Sequence, residues 1–272
     1  MRIALLSDLF PHYAAAVAAR AIAGAGFRHV ELNACRRSRP HLDFRYPGAE
    51  AAAAAWRRAC DAAGVTVAAV AAFENLAALD GAERRAAVAY VRRALDTFET
   101  LGCQRLTLMV SGSNLLPVRQ QWIALRASLD ELAETAAARR ATIALEIYPG
   151  NFVERTADVL ELLAAMAAPH VGYLLCVAHL AAIGEDVLAA YEQSRDVLTH
   201  VHLSDTPVGT PVHRHLELGL GQADWRGLCA RLARDRFAGT LTVQLYSHSD
   251  DPAPAEPARR SLAALRRALS PA

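Results

Sequence analysis

The sequence predicts an α/β protein with a single domain, residues 1–272, folded as a closed (β/α)8 TIM barrel. Short β-branched segments alternate with Ala/Leu/Arg-rich helical windows along the whole chain. This alternation implies a parallel sheet, and eight such units fit a chain of 272 residues as a closed barrel. A doubly wound open sheet would require a glycine-rich phosphate turn after an early strand, and the first turn, LLSDLFPHY, has no glycine.

Each predicted strand is a short run of mainly apolar residues, and most of these runs end in polar residues. The eight segments are RIALLSD (2–8), HVELN (29–33), VTVAAVAAF (65–73), RLTLMVSGS (105–113), TIALEIYPG (142–150), VGYLLCVAHL (171–180), THVHLSD (199–205) and GTLTVQLYS (239–247).

The predicted helices lie between these strands and carry recognisable start and stop signals. Asp80, Thr156 and Asp224 are of residue types that cap helix N-termini. Glycines such as Gly64 and Gly102 stand just before the next strand, where helices commonly end. The windows cover residues 13–25, 49–63, 83–101, 119–139, 157–168, 184–195, 224–235 and 256–268.

The basic residues are all arginine, and this excludes several kinds of chemistry. Without a lysine, the chain cannot form a Schiff base, anchor pyridoxal phosphate or supply the lysine of a P-loop. The arginines are interspersed with acidic residues, and the formal net charge is only +1. No basic stripe is therefore expected to bind nucleic acid, and a small-molecule substrate is the predicted partner.

The remaining composition predicts a reduced cytoplasmic protein. Five scattered cysteines without a C-x-x-C pair argue against a disulfide framework. The N-terminus has no leader pattern, and no apolar run is long enough to cross a membrane. No membrane partner is expected, and the sequence is compatible with a homo-oligomer.

Polar residues at the carboxyl ends of the strands are the candidates for function, because barrel enzymes carry their chemistry there. The types found are mainly those that ligate metals or exchange protons. They are Asp8, Glu31, Asn33, Glu74, Asn75, Glu146, Cys176, His179, His200, His202, Asp205 and Gln244, with His213 and His215 in the loop after strand seven.

Several of these residues also have a structural interpretation. A glutamate at the end of a buried strand, such as Glu146, is costly without a partner, which favours a functional role. His200 and His202 share one face of a strand, and we expect His202 to be functional and His200 structural. Cys176 alone could be a small buried hydrophobe. The remaining candidates could be ordinary loop histidines or glutamates bonded to backbone, namely His213, His215, Glu31 and Glu74.

Five motifs resemble the xylose isomerase-like barrels, which include sugar phosphate isomerases and epimerases, hydroxypyruvate isomerase-like proteins and endonuclease IV-like enzymes. The resemblance covers nearly the whole chain. The most telling motif has a histidine, a short Leu/Gly stretch and an Asp-Trp pair that opens the next helix. The motifs are ALEIYPG, LLCVAHL, HVHLSD, HRHLELGLGQADW and GTLTVQL.

The resemblance implies one divalent metal held by residues of strands five to eight. The corresponding positions here are Glu146, Cys176, His202 and Gln244. Relatives carry aspartate and glutamate where this chain has Cys176 and Gln244. The resemblance also implies that His179 contacts substrate and that the two histidines of the HRH motif contact metal or substrate. Glu31, Glu74, His179, His213 and His215 are accordingly the predicted substrate-binding residues.

The two departures change the metal that the site should prefer. A thiol and an amide in place of two carboxylates weaken a site for Mg²⁺ or Mn²⁺. A thiolate with a glutamate and a histidine suits Zn²⁺, so zinc or manganese, or a degenerate site without metal, are the alternatives.

The predicted function is that of an isomerase, epimerase or dehydratase (a lyase) acting on a small polyhydroxylated or keto substrate. Such enzymes abstract a proton next to a carbonyl, and the expected catalytic residues are Glu146, His179, Cys176 and Gln244. An amide cannot exchange a proton, which favours a one-base reaction. The alternatives are a repurposed barrel for cyclisation or bond cleavage, a non-catalytic ligand-binding barrel, and a Cys176 nucleophile activated by His179.

Overall fold

The computed structural model describes residues 1–35, 39–166, 168–208 and 213–270. Its centre is a closed ring of eight parallel strands in sequence order, with β8 paired to β1. This confirms the predicted (β/α)8 barrel. Across the described ranges, no helix combines the length and apolar character that a bilayer span needs.

The strands match the eight predicted segments, and most of them end earlier than the apolar runs suggest. Shifts of register occur between β2 and β3 and between β6 and β7. The bounds are β1 Arg2–Leu6, β2 His29–Asn33, β3 Thr66–Glu74, β4 Arg105–Val110, β5 Thr142–Glu146, β6 Val171–Cys176, β7 Leu198–Leu203 and β8 Thr240–Val243.

The described helices form the outer layer, and ten α-helices replace the eight predicted windows. Short 3-10 turns follow β1 and β8 at Ser7–Leu9 and Tyr246–His248. The bounds are α1 Ala15–Gly24, α2 Ala49–Ala63, α3 Gly81–Asp96, α4 Phe98–Leu101, α5 Val118–Ala138, α6 Thr156–Met166, α7 Val177–Ala182, α8 Val187–Ser194, α9 Trp225–Arg234 and α10 Ala255–Leu269.

Two helices differ from prediction for local reasons. The single window 83–101 divides at Thr97, whose hydroxyl donates to the Ala94 carbonyl at 2.8 Å, a bond that bends helices. The run after Cys176 is the short helix α7 and not the end of a strand followed by a loop. Its residues, VAHLAA, include the strong helix formers alanine and leucine.

Most of the predicted helix signals are present. Asp80 accepts hydrogen bonds from the first turn of α3, and Asp224 accepts one from Gly227. Gly64 and Gly102 end α2 and α4 in the left-handed conformation, with φ of 67° at each. Thr156 is not a cap, because α6 begins at Thr156 itself.

The apolar core lies between the barrel and the helices. One large cluster of buried side chains contains residues from the strands and from the inner faces of the helices. A smaller cluster lies at the β5 and β6 wall and contains Ala144, Leu174, Cys176 and Ala178.

Candidate active site

The carboxylate of Glu146 lies at the end of β5 among the predicted site residues. Its Oε1 atom is 3.2 Å from Nδ1 of His202 and 3.1 Å from Nδ1 of His179. Its Oε2 atom is buried and has no hydrogen-bond partner. Burial alone would raise the pKa of Glu146, but His202 and His179 hold this pKa well below its usual value.

Cys176 ends β6, and His179 follows in the first turn of α7. Cys176 pairs with His202 in the sheet, and its thiol contacts His179. Burial opposes ionisation, yet His179 lowers the pKa of the Cys176 thiol. Burial likewise opposes the charge on His179, but Cys176 and Glu146 raise the pKa of its imidazole to about 10. His179 is therefore an imidazolium at neutral pH, and it favours ionisation of the Cys176 thiol.

His179 is oriented by the backbone and by neighbouring rings. Its Nδ1 atom is 2.9 Å from the carbonyl oxygen of Ile147. The Tyr148 ring packs edge-on against the rings of His179 and His213, at 5.1 Å and 5.3 Å between centroids. Tyr148 was not among the predicted site residues, although its position two residues after Glu146 is a signal for it.

Glu31 lies inside the barrel and contacts two threonines and two histidines of other strands. Oε1 accepts from Thr107 at 2.5 Å and lies 3.2 Å from Nε2 of His202. Oε2 accepts from Thr242 at 2.6 Å and lies 2.9 Å from Nε2 of His200. The two threonines were not predicted as site residues, because threonine is common in strands.

The hydrogen-bond partners of Glu31 indicate its role. Burial would raise the pKa of Glu31, but His200 and His202 hold it well below its usual range. Each carboxylate oxygen already has two partners within the protein. Substrate contact by Glu31 stays a prediction, and this geometry favours a positioning role instead.

His213 and His215 lie on the loop after β7 and approach His179. The ligand atoms of these three histidines lie within 4.8 Å of one another. His215 Nδ1 is 3.1 Å from the hydroxyl of Ser204. Burial, together with His179, lowers the pKa of His213 to about 4 and that of His215 well below its usual value. Both imidazoles are therefore neutral at pH 7.

Asp205 fixes the loop that carries these histidines. Its carboxylate accepts hydrogen bonds from the backbone of Thr206, Gly219 and Ala223 and from Nε1 of Trp225, at 2.8 to 3.2 Å. These contacts explain the aspartate of HVHLSD and the tryptophan of the Asp-Trp pair. Asp205 is a structural residue with four donors.

Gln244 and Glu74 make contacts outside the group of Glu146, Cys176 and His179. Gln244 follows β8, and its amide nitrogen is 3.4 Å from Oδ2 of Asp8. Glu74 ends β3 and lines a cavity of about 190 Å³ with Arg45, Asn75, Glu83 and Ser111. A cavity of about 950 Å³ lies at the opposite end of the barrel, beside Arg2 and His29, and includes none of the predicted site residues.

The residues at the centre fit a divalent metal of the zinc type. Glu146, Cys176 and His179 place ligand atoms within 4.8 Å of one another. His202 presents Nδ1 to the same carboxylate while Nε2 is held by Glu31, as is usual for metal-binding histidines. A thiol, imidazoles and a carboxylate form a donor set for Zn²⁺.

Residues 19–268 match the model of the xylose isomerase-like TIM barrel family. Because this match covers most of the chain, the protein belongs to that family, in agreement with the resemblance of its motifs. A shorter match, 32% identical over 84 residues, is to the uncharacterized protein ML2432 of Mycobacterium leprae (strain TN). The match covers 31% of this chain and 30% of that protein.

Solved structures with the same fold include sugar epimerases. The chain is similar to 3-keto-D-glucoside 4-epimerase YcjR from E. coli, with 19% identity, a TM-score of 0.79, and coverage of 98% and 99% of the two chains. It is also similar to D-psicose 3-epimerase from Clostridium cellulolyticum H10, with 15% identity, a TM-score of 0.82 and full coverage of both chains.

A third solved structure is the IolI protein with a zinc atom, at 15% identity and a TM-score of 0.81, covering 97% and 98% of the two chains. The "probable 3-DHS dehydratase AsbF" of Bacillus anthracis has the same fold, at 12% identity and a TM-score of 0.75, covering 97% and 98% of the two chains. At these identities the likeness establishes the fold alone.

Proposed function

We propose that the protein is an isomerase- or epimerase-type enzyme that abstracts a proton next to a carbonyl in a small polyhydroxylated or keto substrate. The observation that carries this proposal is the Glu146 carboxylate, buried at the barrel mouth with Oε2 free of hydrogen bonds. The sugar epimerases among the solved structures support the same class of reaction.

In this proposal Glu146 takes the proton, and its neighbours hold it in place. His202 and His179 both contact Oε1, which leaves Oε2 for the substrate. Glu31 acts through His202, because it fixes the far side of that ring. His213, His215 and Tyr148 form the wall beside His179 and would contact the substrate.

We also propose one divalent metal, with Glu146 and Cys176 as ligands together with a histidine that contacts Glu146, either His202 or His179. The thiol favours zinc over manganese. A bound dication would polarise the substrate carbonyl and stabilise negative charge on its oxygen. Gln244 stays a candidate ligand through Oε1, which is buried without a partner, while its amide nitrogen bonds Asp8. A neutral amide oxygen is a weaker ligand for a dication than a carboxylate.

The proposal is tested by hydrogen exchange. The purified protein is incubated in D2O with D-fructose, D-tagatose and D-psicose, and loss of the proton next to the carbonyl is followed by NMR. Wild type should exchange it, and Glu146→Gln should be about 10²- to 10⁴-fold slower. Glu161→Gln, the same change at an exposed site on α6, is the matched control and should behave as wild type.

The same samples identify the metal by elemental analysis. About one zinc per chain is expected, and Cys176→Ser should lose it while keeping the fold. If wild type shows no hydrogen exchange and contains no metal, the proposal is contradicted. That result would favour a ligand-binding barrel without catalysis. Formation of a dehydrated product in place of an epimer would favour the one-base elimination, which a single carboxylate can drive.

A further inference from the structure

Asp8 is a buried carboxylate in the 3-10 turn that follows β1. Its side chain lies at the mouth of the barrel with only 4% of its surface exposed. Oδ2 receives one long hydrogen bond of 3.4 Å from the Gln244 amide, and Oδ1 has no partner. In the ring of eight strands, β1 stands opposite β5, so Asp8 faces the Glu146 side of the mouth from across the barrel.

These contacts do not explain Asp8 as a structural residue. Asp205 shows what a structural carboxylate in this protein looks like, with four hydrogen-bond donors at 2.8 to 3.2 Å. Asp8 has one donor and, within the described ranges, no ion pair with an arginine. A carboxylate this poorly compensated is costly to bury, which is typical of functional groups.

The charges around Asp8 suit a group that gains and loses a proton. Burial raises the pKa of Asp8 to about 7, against the opposing effects of the Gln244 amide and His202. Glu31 and Glu146 act in the same direction as burial. Both protonation states are then available near neutral pH, the range in which general acids and bases are most effective.

We propose that Asp8 is the second proton-exchanging carboxylate of the site, acting on the substrate face opposite Glu146. Gln244 follows β8, and its amide cannot exchange a proton. It donates to Asp8, so the group at the junction of β8 and β1 that can exchange a proton is the Asp8 carboxylate. This inference rests on the proposed function and makes that reaction an inversion by two groups.

The step balances without any further reactant. On one face, the C–H bond next to the carbonyl breaks, its proton moves to Glu146, and its electron pair enters the enediolate. On the other face, protonated Asp8 delivers its proton to the same carbon, and a new C–H bond forms from that electron pair. Asp8 is left as a carboxylate, and both groups return to their starting states by exchange with water.

The test separates exchange from inversion, with D-fructose in D2O as the probe. Asp8→Asn should slow formation of the 3-epimer about 10²- to 10⁴-fold, while exchange of deuterium into D-fructose at Glu146 persists. Asp8→Asn combined with Gln244→Glu places a carboxylate after β8, beside position 8, and should recover inversion at least in part. Asp196→Asn, whose side chain is 95% exposed, is the matched control.

Two outcomes overturn the proposal. One is an Asp8→Asn variant that inverts at the wild-type rate, and the other is a parallel loss of exchange and inversion that the double variant does not repair. A merely structural role would give the second result. The split between exchange and inversion is therefore the decisive measurement.

A second measurement decides the case in which wild type turns over no probe. Such a result contradicts the proposed function, and NMR of protein labelled with carbon-13 at the aspartate carboxyl then tests Asp8 alone. Its resonance is identified by its absence in Asp8→Asn and should titrate near pH 7. A midpoint near the ordinary aspartate value of about 4 would overturn the assignment of Asp8 as a proton-exchanging group.

Discussion

At the scale of single residues, two carboxylates of similar burial have different surroundings. Glu31 has two partners on each oxygen, and its charge is matched by the histidines of β7. Glu146 has one oxygen in contact with histidines and one without a partner. Because both oxygens of Glu31 have hydrogen-bond partners, Glu31 suits a positioning role. The unpartnered oxygen of Glu146 at the mouth of the barrel suits contact with a ligand.

Glu31→Gln should destabilise the protein strongly, because it leaves the imidazole of His202 without one of its two carboxylates. Removal of one member of a buried ion pair typically costs about 3–5 kcal/mol in the free energy of unfolding. Urea unfolding at pH 7 measures this, with Glu161→Gln as the exposed control. A loss below about 0.5 kcal/mol would show that the buried pairs contribute little, since ordinary surface changes lie in that range.

The stability lost in Glu31→Gln should also depend on pH. The folded pKa of Glu31 lies well below the ordinary value of 4.5, so its contribution to stability is fully present above that value. It is lost as the pH falls through the folded pKa. The difference in unfolding free energy between wild type and Glu31→Gln should therefore be constant near neutral pH and shrink in acid. A difference that grows in acid would contradict the assigned direction.

At the scale of elements, the Asp205 carboxylate makes several of the contacts that hold the loop between β7 and α9 against the barrel. Asp205 binds the loop at Thr206, Gly219 and Ala223, and it binds the first residue of α9 through Trp225. An isolated pair of antiparallel backbone bonds joins Asp205 to Leu216. The histidines of the HRH motif depend on these anchors for their position beside His179.

Asp205→Ala should therefore release the loop. It leaves several buried donors without an acceptor, and each such group costs about 1–3 kcal/mol, so a loss of at least about 2 kcal/mol is expected. Limited proteolysis should then cut between residues 206 and 224 faster than in wild type. Asp224→Ala removes only the cap of α9, should cost about 1 kcal/mol, and should leave the loop resistant. Equal proteolysis of the two variants would contradict the role of Asp205.

At the scale of the whole molecule, closure of the ring depends on the last helix. β8 pairs with β1, and α10 packs over this junction against α1, α9 and β8. Leu262 and Leu265 face the core, and the hydroxyl of Ser261 accepts the Leu218 N–H at 3.2 Å. The helix α10 thus contacts α1 near the N-terminus, β8 at the junction of the ring, and the loop that carries Leu218.

Leu265→Ala should lower the free energy of unfolding of the entire barrel by about 2–5 kcal/mol, because it leaves a cavity in a fully buried position. Chemical denaturation followed by both fluorescence and circular dichroism should show one coincident transition at lower denaturant. Leu115→Ala removes the same atoms from a side chain that is 95% exposed and should leave the transition unchanged. Separate transitions by the two probes would show that α10 is not part of the cooperative unit.

The architecture of the barrel could be predicted from the sequence alone. The alternation of strands and helices repeats eight times, and periodicity is a local property that any stretch of residues displays. The sequence also determined where the chemistry lies, because the ends of parallel strands meet at one rim of a barrel whatever the side chains are. Glu146, Cys176, His179 and His202 were found in this way, and the structure brings them together.

The hydrogen-bond partners of the buried polar groups are visible in the tertiary structure and not in the sequence. The sequence cannot show that Thr107 and Thr242 saturate Glu31, since these residues lie on strands separated by 76 and 211 positions from it. It equally cannot show that Gln244 bonds Asp8 across the closure of the ring, 236 positions apart. The protonation state and role of a buried carboxylate depend on the donors that surround it, and those donors come from distant strands that only folding brings into contact.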